Sequence, residues 1–290
     1  MKTPLDDLLS GYRFTTINES LQALREIIQE IALLGLWRGK FFEHAAFYGG
    51  AALRIVHGLP RYSEDMDFSL MVPSPGFALS PYLAYVEKEL RAFGFEVSTS
   101  QGPQNAESAM ESAFVKLNTR EGFLTLGVAP ALVERLSREQ ALKIKFEIDI
   151  DPPDDFRTET KYLYVPQAFS VRLFNLPSQF AGKLHAAIAR KWKTRVKGRD
   201  WFDLAWFVGK GVSASLDHLK ARLVQTGHLA RQDLLGVNEA REILSGRIKT
   251  LDIDAAKRDV GPFLRPQDAA QLDIWSKDFF LDLAHRIKFE

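Results

Sequence analysis

The chain contains no cysteine. That absence excludes a disulfide framework, a thiolate zinc site, a cysteine nucleophile and an iron–sulfur cluster, and it fits a reducing cytoplasm. Net charge is almost absent too: 38 Lys and Arg stand against 37 Asp and Glu, a formal charge of +1. Whole-chain charge therefore carries no information about nucleic acid, and only local patches can. No apolar run approaches the ~20 residues of a membrane span. The opening MKTPLDDLLSGYRF lacks the apolar core of a signal peptide. No segment recurs at the ~20–50-residue period of solenoids and propellers. What remains is an ordinary globular composition, with 290 residues of which 46% are hydrophobic and 26% charged. Roughly one or two domains with a self-sufficient core are expected, in a soluble cytoplasmic protein.

Hydrophobic periodicity divides the chain, with a seam near 155–175. Before it, helix and strand signals alternate. Leu21, Leu24, Ile28 and Ile31 recur at helical spacing over 18–34, with Asn18 or Ser20 as the cap. The run FYGGAALR at 47–54 reads as a tight Gly-Gly turn opening a short helix. Ser80-Pro81 opens another helix, Gly94 closes it, and 95–98 follows as a strand. Segments 113–117 and 123–126 read as a hairpin around 118–122, and 130–139 as a short helix. LKIKFEIDID at 142–151 alternates throughout: Ile144, Phe146, Ile148 and Ile150 face one way, Lys143, Lys145, Glu147, Asp149 and Asp151 the other. Pro152-Pro153 then stops it. After the seam the pattern is helical, over 177–191, 200–208, 215–224, 238–244 and 266–287. The expected domains are 1–165 and 166–290.

The sharpest chemical feature is Asp65-Met66-Asp67. On a strand the two carboxylates share a face, about 7 Å apart, and repel each other unless a cation lies between them. A hard divalent ion such as Mg²⁺ takes such oxygens and keeps positions open for phosphates. Alone, an Asp-x-Asp is more often a solvated strand end. Its context raises its weight. Upstream, Gly49-Gly50 at a strand-to-helix turn lets backbone N–H groups approach a phosphate. Downstream, strand pairing brings Glu147 or Asp149 beside the pair, with Glu147 preferred as the third acid. Three carboxylates and a glycine turn make a site for metal-assisted phosphoryl transfer.

A basic run follows the seam: residues 183–199 hold seven Lys or Arg and no acid. Lys183, Ala187 and Arg190 share a helical face, fit to hold triphosphate or an RNA backbone. A solvated cationic face explains such a run equally well. Lys183, at the apolar start of its helix, is assigned a phosphate. Asp203 is assigned the bland role of an i, i+4 pair with Arg199. Arg54 and Arg61 bracket the loop before the carboxylates, reaching phosphate or pairing with Glu64. Trp192, Trp201 and Trp206 flank the run and offer stacking platforms, but Trp206 is placed in the core with Leu204 and Phe207. His44, His57 and His185 show no ligand spacing and are read as packing or surface.

Taken in order, FYGGAALRIVHGLPRYSEDMDFSL, LKIKFEIDI and KLHAAIARKWKTRVKGRDWFDLAWF resemble three successive motifs of the AbiEii/AbiGii toxin family, within the DNA polymerase β-like nucleotidyltransferase superfamily. The resemblance spans about residues 45–208. It implies an α/β (α+β) nucleotidyltransferase fold, a small mixed sheet flanked by helices, followed by an all-helical C-terminal domain. It implies NTP and Mg²⁺ and transfer of an NMP to an acceptor hydroxyl. By resemblance the protein is the toxin of a type IV-like toxin–antitoxin or phage-defence pair with a cognate antitoxin. Its expected acceptor is the 3′ end of tRNA or another RNA. Asp65 and Asp67 match the metal-binding pair, Gly49 and Gly50 the triphosphate turn, Lys183 the lysine of the later motif and Asp200 its aspartate, read as the base for the attacking hydroxyl. The superfamily's turn usually carries Gly-Ser. Here it is Gly-Gly, and Ser63 is the substitute hydroxyl. Transfer to a small hydroxylated molecule, and nucleotide binding without chemistry, are the alternatives.

Overall fold

Thr16 starts the first long helix. Its side chain accepts from Glu19 N–H while the Glu19 carboxylate accepts from Thr16 N–H, a reciprocal capping box. Helix α1 therefore spans Ile17–Arg38 and begins just before the expected caps Asn18 and Ser20. This start belongs to a computed structural model that describes residues 8–9, 11–12, 15–102, 109–190 and 196–290. The chain divides into two compact units. The first comprises Met1–Gly58, Tyr62–Pro152 and Glu159–Leu173, and the second Leu59–Arg61, Pro153–Thr158 and Phe174–Glu290.

The first unit is built on a mixed seven-stranded sheet in the order β3-β4-β5-β2-β1-β7-β6. Strand β1 is Ala45–Tyr48, followed by helix α2, Gly49–His57. Strand β2, Met66–Leu70, runs antiparallel to β1 and sets Asp67 opposite Tyr48. Helix α3, Ser80–Ala92, leads to β3, Val97–Gln101, and β4, Met110–Asn118. Helices α4, Thr119–Thr125, and α5, Pro130–Val133, precede β5, Ala141–Asp149. Strand β5 lies parallel to β2, with Glu147 beside Asp67 and Asp149 beside Ser69. Strands β6, Thr158–Leu163, and β7, Phe169–Phe174, complete the sheet.

Strand alternation sorts this sheet into two chemistries, as the period of two requires. Phe47, Met66, Phe68, Phe146 and Ile148 are fully buried on one face. There Phe47 stacks on Phe68 at 5.1 Å and Phe68 on Phe146 at 6.2 Å. Tyr48, Asp67, Ser69, Glu147 and Asp149 share the other face. A one-residue slip would bury the acids and expose the rings, so the packed rings hold the register of the carboxylates.

The second unit carries α6 (Leu176–Ala189), α7 (Gly198–Gly209), β8 (Ser213–Ala214), α8 (Leu216–Gln225), α9 (Val237–Lys249), α10 (Ile253–Val260), α11 (Lys277–Arg286) and β9 (Lys288–Phe289). Phe180 and Phe207 stack at 4.6 Å between α6 and α7, and Trp201 meets Phe280 edge-on at 5.2 Å. Strands β8 and β9 pair in parallel, a short ladder among the helices of the described residues of this unit. Among the described residues no helix is long and apolar enough to cross a membrane.

Several elements differ from the sequence reading. Residues 123–126 are not a strand: the Asn118 side chain accepts from the N–H groups of Arg120 and Glu121 and turns the chain into α4. The true partner of β4 is β5, in register from Met110 opposite Asp149 to Asn118 opposite Ala141. Strands β6 and β7 occupy the seam. The stretch 266–287 is broken into a 3-10 turn, Pro266–Leu272, and α11, because Ser276 caps a new start through Phe279 N–H. Helix α10 was not foreseen, although Asp252 caps it through Ala255 N–H.

Candidate functional site

In the first unit the site starts at the β1–α2 turn. Gly49 has φ +80°, a conformation L side chains rarely adopt. Space forbids a side chain as well. A Cβ there would overlap Oδ2 of Asp67 and lie 3.0 Å from its Cγ. The turn residue Tyr48 provides no side-chain cap, so the first N–H groups of α2 have no side-chain acceptor from it. Gly50 follows inside the helix and is buried. Asp65 lies one residue before β2 and Asp67 within it, both half-buried. Asp67 thus sits between the glycine turn on one side and Glu147 on the next strand.

The two choices for a third acid separate here. Glu147 stands in register with Asp67, and its carboxylate pairs with Lys145 Nζ. Asp149 is buried, and its Oδ1 accepts from Asp151 N–H at 3.1 Å. Hard carboxylate oxygens on adjacent strands suit a hard divalent cation in chemistry. Among the described residues no trio of His, Asp or Glu is already gathered for a metal.

Helix α1 supports this region through residues that the sequence reading passed over. Gln29, 1% exposed, donates from Nε2 to the carbonyls of Ser63 and Glu64, each at 3.2 Å. It thereby ties the segment leading to Asp65 onto α1. Arg54 pairs with Glu26 at 2.9 Å and lies 4.7 Å over the Tyr62 ring. Glu64 in turn has Arg25 at 4.0 Å. Tyr12 donates to Glu26 at 3.0 Å. Burial, with the charge of Glu26 beside it, pushes the Glu30 carboxyl up to about 8. A polar residue on the buried stripe of an amphipathic helix was the available signal.

The second unit gathers the later motif. Arg61 grips Asp203 through two parallel bonds, Nε to Oδ1 and Nη2 to Oδ2, both 2.6 Å. Both side chains are buried, at 2% and 0% exposure. Lys183 Nζ lies 2.8 Å from Asp203 Oδ2 and 3.6 Å from Asp200 Oδ1. Arg190 Nη1 reaches Asp200 Oδ2 at 2.9 Å. Burial alone would raise the Asp203 carboxyl, but Arg61 and Lys183 outweigh it and hold the group below its usual range.

These contacts correct three expectations. Asp203 does not pair with Arg199, whose guanidinium sits 4.2 Å over the Phe263 ring. Arg61 is a buried partner of Asp203, a contact that neither expectation for it named. Trp206 is only half-buried although Leu204 and Phe207 are fully so, because its ring lines a surface cavity beside Lys210. Trp201 is buried. Trp192 and the rest of 191–195 lie outside the described residues. Of the histidines, His57 is 4.0 Å from Glu159, and His185 meets Thr226 Oγ1 at 3.0 Å. Gly49, Asp67 and Glu147 are therefore brought together in one unit, and Lys183, Asp200 and Asp203 in the other.

Comparison with known proteins adds an independent line. The model of a family described as nucleotidyl transferase AbiEii toxin, type IV TA system, matches residues 31–282. Among solved structures, a candidate nucleotidyltransferase from H. pylori superposes with a TM-score of 0.50 at 16% identity, covering 89% of this chain and 93% of that one. The nucleotidyltransferase toxin MenT4 from Mycobacterium tuberculosis H37Rv gives 0.48 at 14% identity, over 99% of this chain and 100% of the other. At such identities the H. pylori likeness speaks to fold alone. No curated protein matches the sequence.

Proposed function

Because this chain belongs to the AbiEii family of nucleotidyltransferase toxins of type IV toxin–antitoxin systems, we propose that it transfers an NMP from an NTP to the 3′-terminal hydroxyl of tRNA. The acceptor oxygen bonds to the α-phosphorus, the bond from that phosphorus to the β-phosphate bridging oxygen breaks, and pyrophosphate leaves. The observation that carries this reading is the seating of Asp67 against the Gly49 backbone with Glu147 in register beside it. A carboxylate pressed onto a glycine turn at a helix start brings cation-binding oxygens and phosphate-binding N–H groups into one place.

The residues take the following roles. Gly49 and Gly50 present backbone to the triphosphate, with Ser63 as the substitute hydroxyl. Mg²⁺ held by Asp65, Asp67 and Glu147 would polarise the α-phosphate and ease pyrophosphate departure. Glu147 joins that set by giving up its pairing with Lys145. Lys183 supplies a point charge to phosphate. Asp200 takes the proton of the attacking hydroxyl, turning from Arg190 to do so. The family also implies a cognate antitoxin that restrains this chemistry.

The test is incubation of the protein with each α-³²P-labelled NTP, Mg²⁺ and total cellular RNA, with Asp67→Ala as control. A labelled tRNA band that vanishes in the variant is expected. Label in another RNA or in a small hydroxylated molecule, with tRNA unlabelled, would sink the acceptor assignment.

A further inference from the structure

A second surface of the first unit has the makings of a binding site and takes no part in the machinery above. At the start of β1, a groove of about 540 Å³ is lined by Trp37, Arg38, Lys40, Glu43, Thr160 and Arg172, among others. It lies beside the residues that lead into Ala45, whereas the glycine turn follows Tyr48 at the other end of that strand. Strand rise puts the two ends about 10 Å apart.

Trp37 is 38% exposed, unusual for the largest apolar side chain, and Phe169 braces its ring at 6.2 Å. A braced, solvent-facing indole is a ready stacking platform. Thr160 lines the groove, and alternation along β6 puts Tyr162, 67% exposed, on the same strand face. Cations surround the rings. Arg38 is paired with Glu89 at 3.0 Å and Lys40 with Glu43 at 3.8 Å. Arg172 reaches only the Glu43 carbonyl, at 3.4 Å, and no carboxylate pairs with it among the described residues. Three lining cations face one lining acid. That modest surplus suits singly charged phosphodiesters. A free nucleoside triphosphate carries about four negative charges and wants a dense anion cradle, which this open groove lacks.

We propose that this groove is an RNA-binding exosite, in which an unpaired base stacks on Trp37 and the adjoining phosphodiester meets Arg172. It rests on the reading of the protein as a transferase with an RNA acceptor and names where that acceptor is held away from the reacting hydroxyl. Recognition is of backbone charge and a π-face, so the site tolerates sequence variation.

The test is fluorescence anisotropy with tRNA blocked and fluorescein-labelled at its 3′ end, so that no transfer occurs, over a salt series. Trp37→Ala is expected to weaken binding ~5- to 100-fold, as loss of one stacked base does. Arg172→Gln is expected to weaken it and to reduce the slope of log K against log salt by ~1. Both variants should keep the wild-type far-UV spectrum and the wild-type affinity for a fluorescent ATP analogue. Wild-type affinity for tRNA in both variants would overturn the exosite, and so would failure of the wild-type protein to bind tRNA. Displacement of tRNA by poly-glutamate from wild type and Trp37→Ala alike would also overturn it, marking a surface for an acidic protein. The two readings fail separately. If the wild type labels tRNA and the variants do so unchanged, only the exosite falls. If tRNA binds through Trp37 and Arg172 but never accepts label, only the transfer reading falls.

Discussion

Gly49 leaves no room for a Cβ because the Asp67 carboxylate occupies that space, its Cγ 3.0 Å from where the Cβ would be. Two requirements therefore coincide at one residue, a φ of +80° and an empty flank. Gly58, at φ +73°, has the first requirement without the second, since nothing lies within 4 Å of its added Cβ. Alanine at each position separates them. Gly58→Ala should cost ~1–2 kcal/mol of stability, the strain of a left-handed L-residue, and leave NMP transfer intact. Gly49→Ala should cost more and displace Asp67, abolishing transfer. Urea unfolding and the labelling assay check both, and equal behaviour of the two variants would contradict the account.

A second prediction concerns Arg61 and Asp203. A buried, doubly hydrogen-bonded pair is costly to break from one side, because the remaining charge is stranded. Arg61→Ala should destabilise by ~3–5 kcal/mol. Asp203→Asn should also destabilise, leaving Arg61 and Lys183 without their shared anion. The Asp203 carboxyl is held below its usual value, so its contribution is complete above the ordinary carboxylate range and disappears only as pH falls through the lower folded value. Denaturation at pH 7 and in mild acid reads both statements.

The contrast between these two relationships explains how much the sequence disclosed. Gly49, Asp67 and Glu147 were legible because each lies in a short element with a strong local period: a glycine pair between strand and helix, and strands alternating Phe or Ile with Asp or Glu. Arg61 and Asp203 are 142 residues apart, and no local pattern marks them. The nearest-neighbour rule pointed Asp203 at Arg199, and tertiary contact overrode a pairing worth only tenths of a kcal/mol. The apolar run at 123–126 suited strand and helix equally, and the Asn118 cap decided it. Gln29 was hidden for another reason: its partners are the backbone carbonyls of Ser63 and Glu64, which any sequence supplies.

Acid should weaken the second unit through its histidines. His218 is packed near Phe156 and Phe174, its Nδ1 lies 2.9 Å from the Asp154 carbonyl, and Arg222 donates to its Nε2 at 3.0 Å. Burial and then the Arg222 charge push its pKa down to about 3. The unfolded chain therefore binds this proton near the ordinary 6.5 while the folded chain refuses it. Stability is full above that pH and declines as pH falls toward 3. His218→Gln should make the pH dependence between 6 and 5 shallower than wild type by up to ~1.4 kcal/mol per pH unit, one proton's worth. Parallel slopes in the two proteins would refute it.

Glu30 runs in the opposite direction. Its folded pKa of about 8 lies above its ordinary 4.5, so folding keeps a proton that the unfolded chain releases. The resulting penalty is nil below 4.5, grows as pH rises and levels off past 8. Glu30→Gln should accordingly stabilise the protein increasingly from pH 5 to 8, as unfolding midpoints over that range will show. A constant difference between variant and wild type would contradict it.

Lys183 distinguishes catalysis from support within the ion network. Removing it leaves Asp203 still doubly bonded to Arg61 and Asp200 still beside Arg190. The folded state therefore loses one of three cations while both carboxylates keep a partner. Lys183→Ala should shift the unfolding midpoint far less than Arg61→Ala does. A lysine that meets phosphate in the transition state has a different signature: its loss should lower NMP transfer ~100-fold or more at saturating NTP, the scale set by deleting one preorganised electrostatic contact. Single-turnover rates with labelled NTP, measured beside urea unfolding, give the two quantities from one preparation. If Lys183→Ala unfolds as readily as Arg61→Ala and the folded fraction transfers at the wild-type rate, the lysine is a structural counter-ion and the phosphate contact belongs to another cation.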